Sequence, residues 1–104
     1  MPTRITARNA TLSDRLREHI EQSISKLDRY YDGIHDAHVI LDGKESSNVN
    51  KKAEIKVNVS RRVLSAQDAG QTYQEAINGC VRQLRRQVLR YKEKIRSKDK
   101  DSHK

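Results

Sequence analysis

The chain has 104 residues, about one domain's worth of sequence. Lys and Arg number 22 against 14 Asp and Glu, a net charge of +8, and charged residues make up 35% of the chain. The longest apolar run is Val39-Ile40-Leu41 and there is one cysteine, which excludes a helical membrane span and a disulfide-stapled scaffold. No apolar stretch follows Met1-Pro2-Thr3-Arg4, so the reading expects no secretory signal and a reducing, cytoplasmic setting.

In residues 3–8, Ile5 and Ala7 alternate with Arg4, Thr6 and Arg8, the period of a strand. Thr11 or Ser13 can cap the helix that follows, with Thr11-x-x-Asp14 as a loose capping box. That helix is predicted over 13–31. Leu16, Ile20, Ile24, Leu27 and Tyr31 form its apolar face, and Arg15, His19, Gln22, Lys26 and Arg29 lie opposite. Gly33 suits its end.

Three strands are predicted next, over 36–42, 52–59 and 62–67. Ala53, Ile55, Val57 and Val59 give the cleanest inward alternation in the chain. Gly43 to Asn50 reads as a hairpin loop, Ser60-Arg61 as a tight connection, and Asp68 to Gln71 as a loop. Thr72 can cap a second helix striped by Tyr73, Ile77, Cys80, Val81, Leu84, Val88, Tyr91 and Ile95. Residues 73–96 would span roughly 36 Å. Residues 97–104 lack any apolar side chain and read as a disordered basic tail, which leaves 1–96 as the single domain.

The order is strand, helix, three strands, helix. Strands with one apolar face need a cover, and two amphipathic helices supply it. The expected fold is α+β: a four-stranded, mainly antiparallel sheet with both helices on one face and the other face open and polar.

The charge is unevenly placed. Residues 1–81 carry a net +1, whereas residues 82–104 carry 10 Lys/Arg against 3 acids. Such concentration is the footprint of a phosphate-rich partner. Arg82, Arg86 and Arg90 recur at four-residue spacing on one flank of the second helix, with Arg85, Lys92 and Arg96 on a neighbouring flank. Lys26 and Arg29 add a basic flank on the first helix. Guanidinium forks suit bidentate phosphate contacts. Four tyrosines with no Trp or Phe argue against a base-stacking platform and for backbone and shape recognition.

Catalytic and metal patterns fail on inspection. His35-Asp36-x-His38 has no further ligands nearby, and His38 falls on an outward strand position. Cys80 lies in an apolar stripe, the setting of an inert core thiol. Gly43-Lys44 has His38 and Glu45 where a phosphate loop needs Gly and Ser/Thr. Tyr30 and Tyr31 read as packing residues. The sequence therefore predicts neither an enzyme nor a cofactor, metal or small-molecule substrate.

The chain resembles the ribosome hibernation-promoting factors, also called ribosome-associated translation inhibitors, over about residues 3–96. The resemblance is carried by Ile5-Thr6-Ala7-Arg8-Asn9, by Leu16-Arg17-Glu18-His19-Ile20, and by Lys26-Leu27-Asp28-Arg29-Tyr30-Tyr31. It continues through Ala53-Glu54-Ile55, Ala76-Ile77-Asn78 and Leu84-Arg85-Arg86-Gln87-Val88 to Tyr91-Lys92. The family implies a fold similar to double-stranded RNA-binding domains. It also implies a monomer off the ribosome that plugs the mRNA and tRNA channel of the small subunit in idle ribosomes during starvation or stationary phase. Basic residues on both helices would face ribosomal RNA, and Lys26, Arg29, Arg86, Arg90 and Lys92 match such positions. Arg82 and Arg85 add charge beside Gln83, a position often Lys in the family. Tyr73 stands one position earlier than the family's usual tyrosine, and the length resembles the family's short form. A general RNA-binding or constitutive ribosomal role is the alternative reading. An older family label, modulator of a transcription factor, suggests a third.

Overall fold

Strand alternation at the N-terminus and helical periodicity after it produce the first two elements where the sequence places them. The computed structural model describes residues 2–43 and 51–102, with side chains as far as Ile95. The elements are β1 (Thr3–Arg8), α1 (Asp14–Tyr30), β2 (Asp36–Asp42), β3 (Lys51–Val59), β4 (Arg62–Gly70) and α2 (Tyr73–Ser102). The expected hairpin loop falls mainly on residues 44–50, outside the described residues.

The sheet order is β1-β2-β3-β4. β1 runs parallel to β2, with Ile5 opposite Val39. A parallel neighbour cannot be reached by a tight turn and needs a crossover, which α1 provides. The β2–β3 and β3–β4 pairs are antiparallel, so the sheet is mixed and mainly antiparallel.

Every inward strand position feeds one core. Val39, Leu41, Ile55 and Val57 are fully buried, as are Ile20 and Leu27 of α1 and Ile77, Cys80, Leu84 and Val88 of α2. They form a single cluster, so both helices cover the same sheet face. Each such aliphatic side chain contributes about 1.5–3 kcal/mol on burial.

Two boundaries differ from the sequence reading, and one alternative it left open is decided. Of the two candidate caps, Ser13 rather than Thr11 caps α1, and its Oγ accepts from Leu16 N at 3.1 Å. Leu12 packs on the core instead, which fixes the chain's entry one residue before the cap. β4 extends to Gly70 because its last residues pair with Lys51–Ala53 of β3, a tertiary pairing that outweighs poor strand formers. The α2 backbone stays helical to Ser102, through residues read as a disordered tail. No Gly or Pro stands between Val81 and Lys104, and Lys, Glu and Arg are good helix formers. Residues 103–104 lie outside the described residues.

Candidate nucleic-acid interface

The two helices run side by side in the same direction. His19 Nε2 donates to Asn78 Oδ1 (3.0 Å) near their starts, and Lys92 Nζ donates to the Tyr30 carbonyl (3.3 Å) further along. His19, read from periodicity as a member of the polar side opposite the core, is therefore half-buried at the seam between the helices.

All seven basic residues singled out from the sequence lie on the helical side. Lys26, Arg29, Arg82, Arg85, Arg86 and Arg90 are exposed and Lys92 is half-buried. Among the described residues, no carboxylate oxygen lies within 4.0 Å of any of their nitrogens. Their charge is available to an external anion.

The seven do not form one row. An α-helix turns about 100° per residue, so each four-residue step drifts by about 40°. Arg82 and Arg86 accordingly stand on the outer crest of α2, whereas Arg90 has rotated toward β4 and lies beside Arg62 and Lys94. Arg85 and Lys92 lean the other way and converge on Tyr30. The Arg85 guanidinium sits 5.0 Å from the Tyr30 ring centroid, and Lys92 holds the Tyr30 carbonyl. Arg29 immediately precedes Tyr30, and Lys26 lies one turn earlier on the same helix. The structure thus brings Arg85 and Lys92 of α2 onto Tyr30 of α1, the helix that also carries Lys26 and Arg29.

Tyr30, read from the sequence as a packing residue, does pack against the core, and it also meets two cations of α2, which the sequence reading did not foresee. Its ring lies beside the Arg85 guanidinium, and its carbonyl, one of the last of α1, accepts from Lys92. Only the pairing of α1 with α2 makes this visible. A position four residues before Ile34 signals packing and nothing more.

The second helix starts as its residue types dictate. Thr72 Oγ1 accepts from Glu75 N (3.1 Å), and Glu75 Oε2 accepts from Gln71 N (3.0 Å). Tyr73, the shifted tyrosine, lies half-buried under the Lys51 ammonium, 5.5 Å from its ring centroid. Burial and the nearby Asp42 carboxylate raise its pKa above 10.0. Gln83 carries no charge but donates from Nε2 to the Gln67 carbonyl (3.0 Å) on β4.

The open sheet face is polar, as its alternation predicts. His38 meets Thr6 Oγ1 through Nε2 (2.8 Å) and accepts from Arg4 through Nδ1 (3.3 Å). Burial, then Arg4 and Lys56, hold its pKa below 6.5. Among the described residues, no group of three or more His, Cys, Asp or Glu side chains could hold a metal ion. No described helix is long and apolar enough to cross a membrane.

A family model described as "Sigma 54 modulation protein / S30EA ribosomal protein" matches residues 3–96. The ribosome hibernation promotion factor of Staphylococcus aureus (strain COL) is 31% identical over 93 residues. That match covers 89% of this chain and 49% of the relative, so the chain spans about half of that protein's length. The ribosome hibernation promoting factor of Escherichia coli (strain K12) is 28% identical over 96 residues, 92% of this chain and 98% of the relative. Among solved structures, the Protein Y N-terminal domain of Thermus thermophilus superposes with a TM-score of 0.77 at 28% identity. It covers 88% of this chain and 99% of that one. A ribosomal subunit interface protein from Coxiella burnetii superposes at 0.80 with 20% identity, over 89% and 99% of the two chains, a likeness of fold alone.

Proposed function

The chain belongs to the Sigma 54 modulation protein / S30EA ribosomal protein family, and from that premise we propose that it is a ribosome-binding translation inhibitor. On this reading residues 1–96 act as one ribosome-binding domain, monomeric off the ribosome and working in the cytoplasm. The domain occupies the mRNA and tRNA channel of the small subunit and silences idle ribosomes. Two relatives that match nearly all of this chain carry the name ribosome hibernation factor, which supports the assignment.

One observation carries the reading. Lys26, Arg29, Arg82, Arg85, Arg86, Arg90 and Lys92 lie on two helices packed against one face of the sheet, with no nearby carboxylate among the described residues. Cations fixed in this way can neutralise phosphates of a folded RNA, each contact releasing counterions. Arg85 is preorganised by its stacking on Tyr30, which lowers the ordering cost of docking. Action is by occupancy, and no bond is made or broken.

The test is sedimentation of translating extract with and without the protein. The protein should travel with small subunits and be displaced by mRNA together with tRNA. The double variant Arg86→Glu/Arg90→Glu should lose the subunits while keeping the wild-type circular dichroism spectrum. Association that survives the charge reversal would remove α2 from the contact surface. Tight binding to free duplex RNA with no inhibition of translation would favour the general RNA-binding alternative.

A further inference from the structure

Beside the β3–β4 turn, the C-terminal half of α2 helps form a second cationic surface, and of the seven basic residues above only Arg90 reaches it. Two open grooves of about 510 and 570 Å³ adjoin there, both lined by Arg62, Tyr91 and Lys94. Arg90 belongs to the first, and Arg61 and Tyr31 to the second. Four cations and no carboxylate are among the described residues that line them. The grooves on the open sheet face have mixed signs: Arg8 and Lys52 face Asp42, Glu54 and Asp68 in one, and Asp36 accompanies Arg4 and Lys56 in the other.

The floor is aromatic and fixed. Tyr91 OH donates to the Ser60 carbonyl (2.5 Å), and its ring meets Tyr31 edge-on with centroids 5.7 Å apart. Val63, 57% exposed, adds apolar surface at the rim. The turn itself is strained. Arg61 has φ of 68°, in the left-handed region where glycine or asparagine fits better than arginine. A locally unfavourable residue that places a cation at the groove mouth suggests a use for that cation.

We infer that these grooves bind a single-stranded nucleic-acid segment, with Arg61, Arg62, Arg90 and Lys94 along the phosphates and a base against Tyr91. Cations lining a groove with an aromatic side chain at its floor are how sequence-tolerant single-strand sites are built. A duplex keeps its bases stacked inside and has none to offer Tyr91. The inference needs no ribosome, so it stands or falls separately from the channel-plugging reading.

The test is fluorescence anisotropy of the full chain with a labelled oligouridylate dodecamer and with a duplex of equal length. Arg61→Gly is the informative variant because it relieves the backbone strain. It should raise Tm and yet weaken dodecamer binding several-fold. Lys94→Gln, on an exposed helix position, should weaken binding similarly without moving Tm. The double variant Arg61→Gly/Lys94→Gln should flatten the log–log salt slope by about 1.4, two contacts at about 0.7 each. Lys52→Gln on the open sheet face is the charge-matched control and should stay within twofold of wild type. Arg61→Gly and Lys94→Gln binding like wild type, equal loss in the Lys52→Gln control, or preference for the duplex would each overturn the inference.

Discussion

The Cys80 thiol sits wholly inside the core and donates to the Ala53 carbonyl (3.4 Å). Burial and then the Asp68 carboxylate push its pKa from 9.0 up to about 11. Folding therefore favours the protonated thiol. The resulting stability is complete below pH 9, falls as pH rises, and is lost above about pH 11. A two-unit shift amounts to about 2–3 kcal/mol. Urea unfolding from pH 8 to 11 should show this decline, and Cys80→Ala should flatten it, leaving the smaller alkaline loss from Tyr31 and Tyr73. Iodoacetamide at pH 8 should modify the thiol only in the unfolded protein. The adjacent Gly79 carries a tighter steric constraint. A Cβ on Gly79 would lie 1.7 Å from Asp68 Oδ2 and 3.0 Å from Asp68 Cβ. Gly79→Ala gains helix propensity but overpacks, for a net loss of about 1–3 kcal/mol. Adding Asp68→Ala should restore much of that loss in a double-mutant cycle by chemical denaturation.

At the level of elements, α2 does more than cover the core. Gln83 and Gln87 donate side-chain amides to the carbonyls of Gln67 (3.0 Å) and Ser65 (2.8 Å). They occupy two carbonyls of β4, an edge strand open to pairing with another chain, while Tyr91 holds the Ser60 carbonyl in the turn before it. Each neutral hydrogen bond contributes about 0.5–1.5 kcal/mol. The pair Gln83→Ala/Gln87→Ala should lose about 1–3 kcal/mol in urea and gain a tendency to associate, seen by light scattering. The sequence could not announce this role. From spacing alone Gln83 looks like a missing cation in a basic run, because strand edges are defined by tertiary pairing. The strands themselves were legible, since Ala53, Ile55, Val57 and Val59 alternate without interruption and bury completely or nearly so. So were the two helix faces and the cap at Thr72. The parallel β1–β2 pairing was not, since period two is the same for either direction. The basic residues were legible as a set, because charge is countable. Their division among seam, crest and β4 edge was not, because helical drift acquires meaning only when neighbours are fixed.

For the whole molecule, the governing quantity is how many of these cations meet phosphates at once. A rigid body that docks through its helical side engages its charges together. If about six phosphates are contacted, the log–log salt slope for small-subunit binding should be roughly −4 to −5, between single-strand and duplex behaviour. Affinity should then fall by roughly three orders of magnitude between about 50 and 200 mM salt. Removing Arg82 and Arg86, which stand on the crest and have no structural partner among the described residues, should flatten the slope by about 1.4–1.8. Tyr30→Leu should behave differently. It leaves the charge unchanged and removes the ring under Arg85, so affinity should drop a few-fold, in line with a cation–π contribution of about 0.5–1 kcal/mol. Its slope should remain near that of wild type, and Tyr30→Phe should restore the affinity, since the ring and the backbone carbonyl on Lys92 are both kept. Titrations of labelled protein with purified small subunits at four salt concentrations separate the two effects. A crest variant that loses affinity at every salt concentration without any change of slope would mean that those arginines act other than through phosphate contact, and the electrostatic docking model would fail at this largest scale.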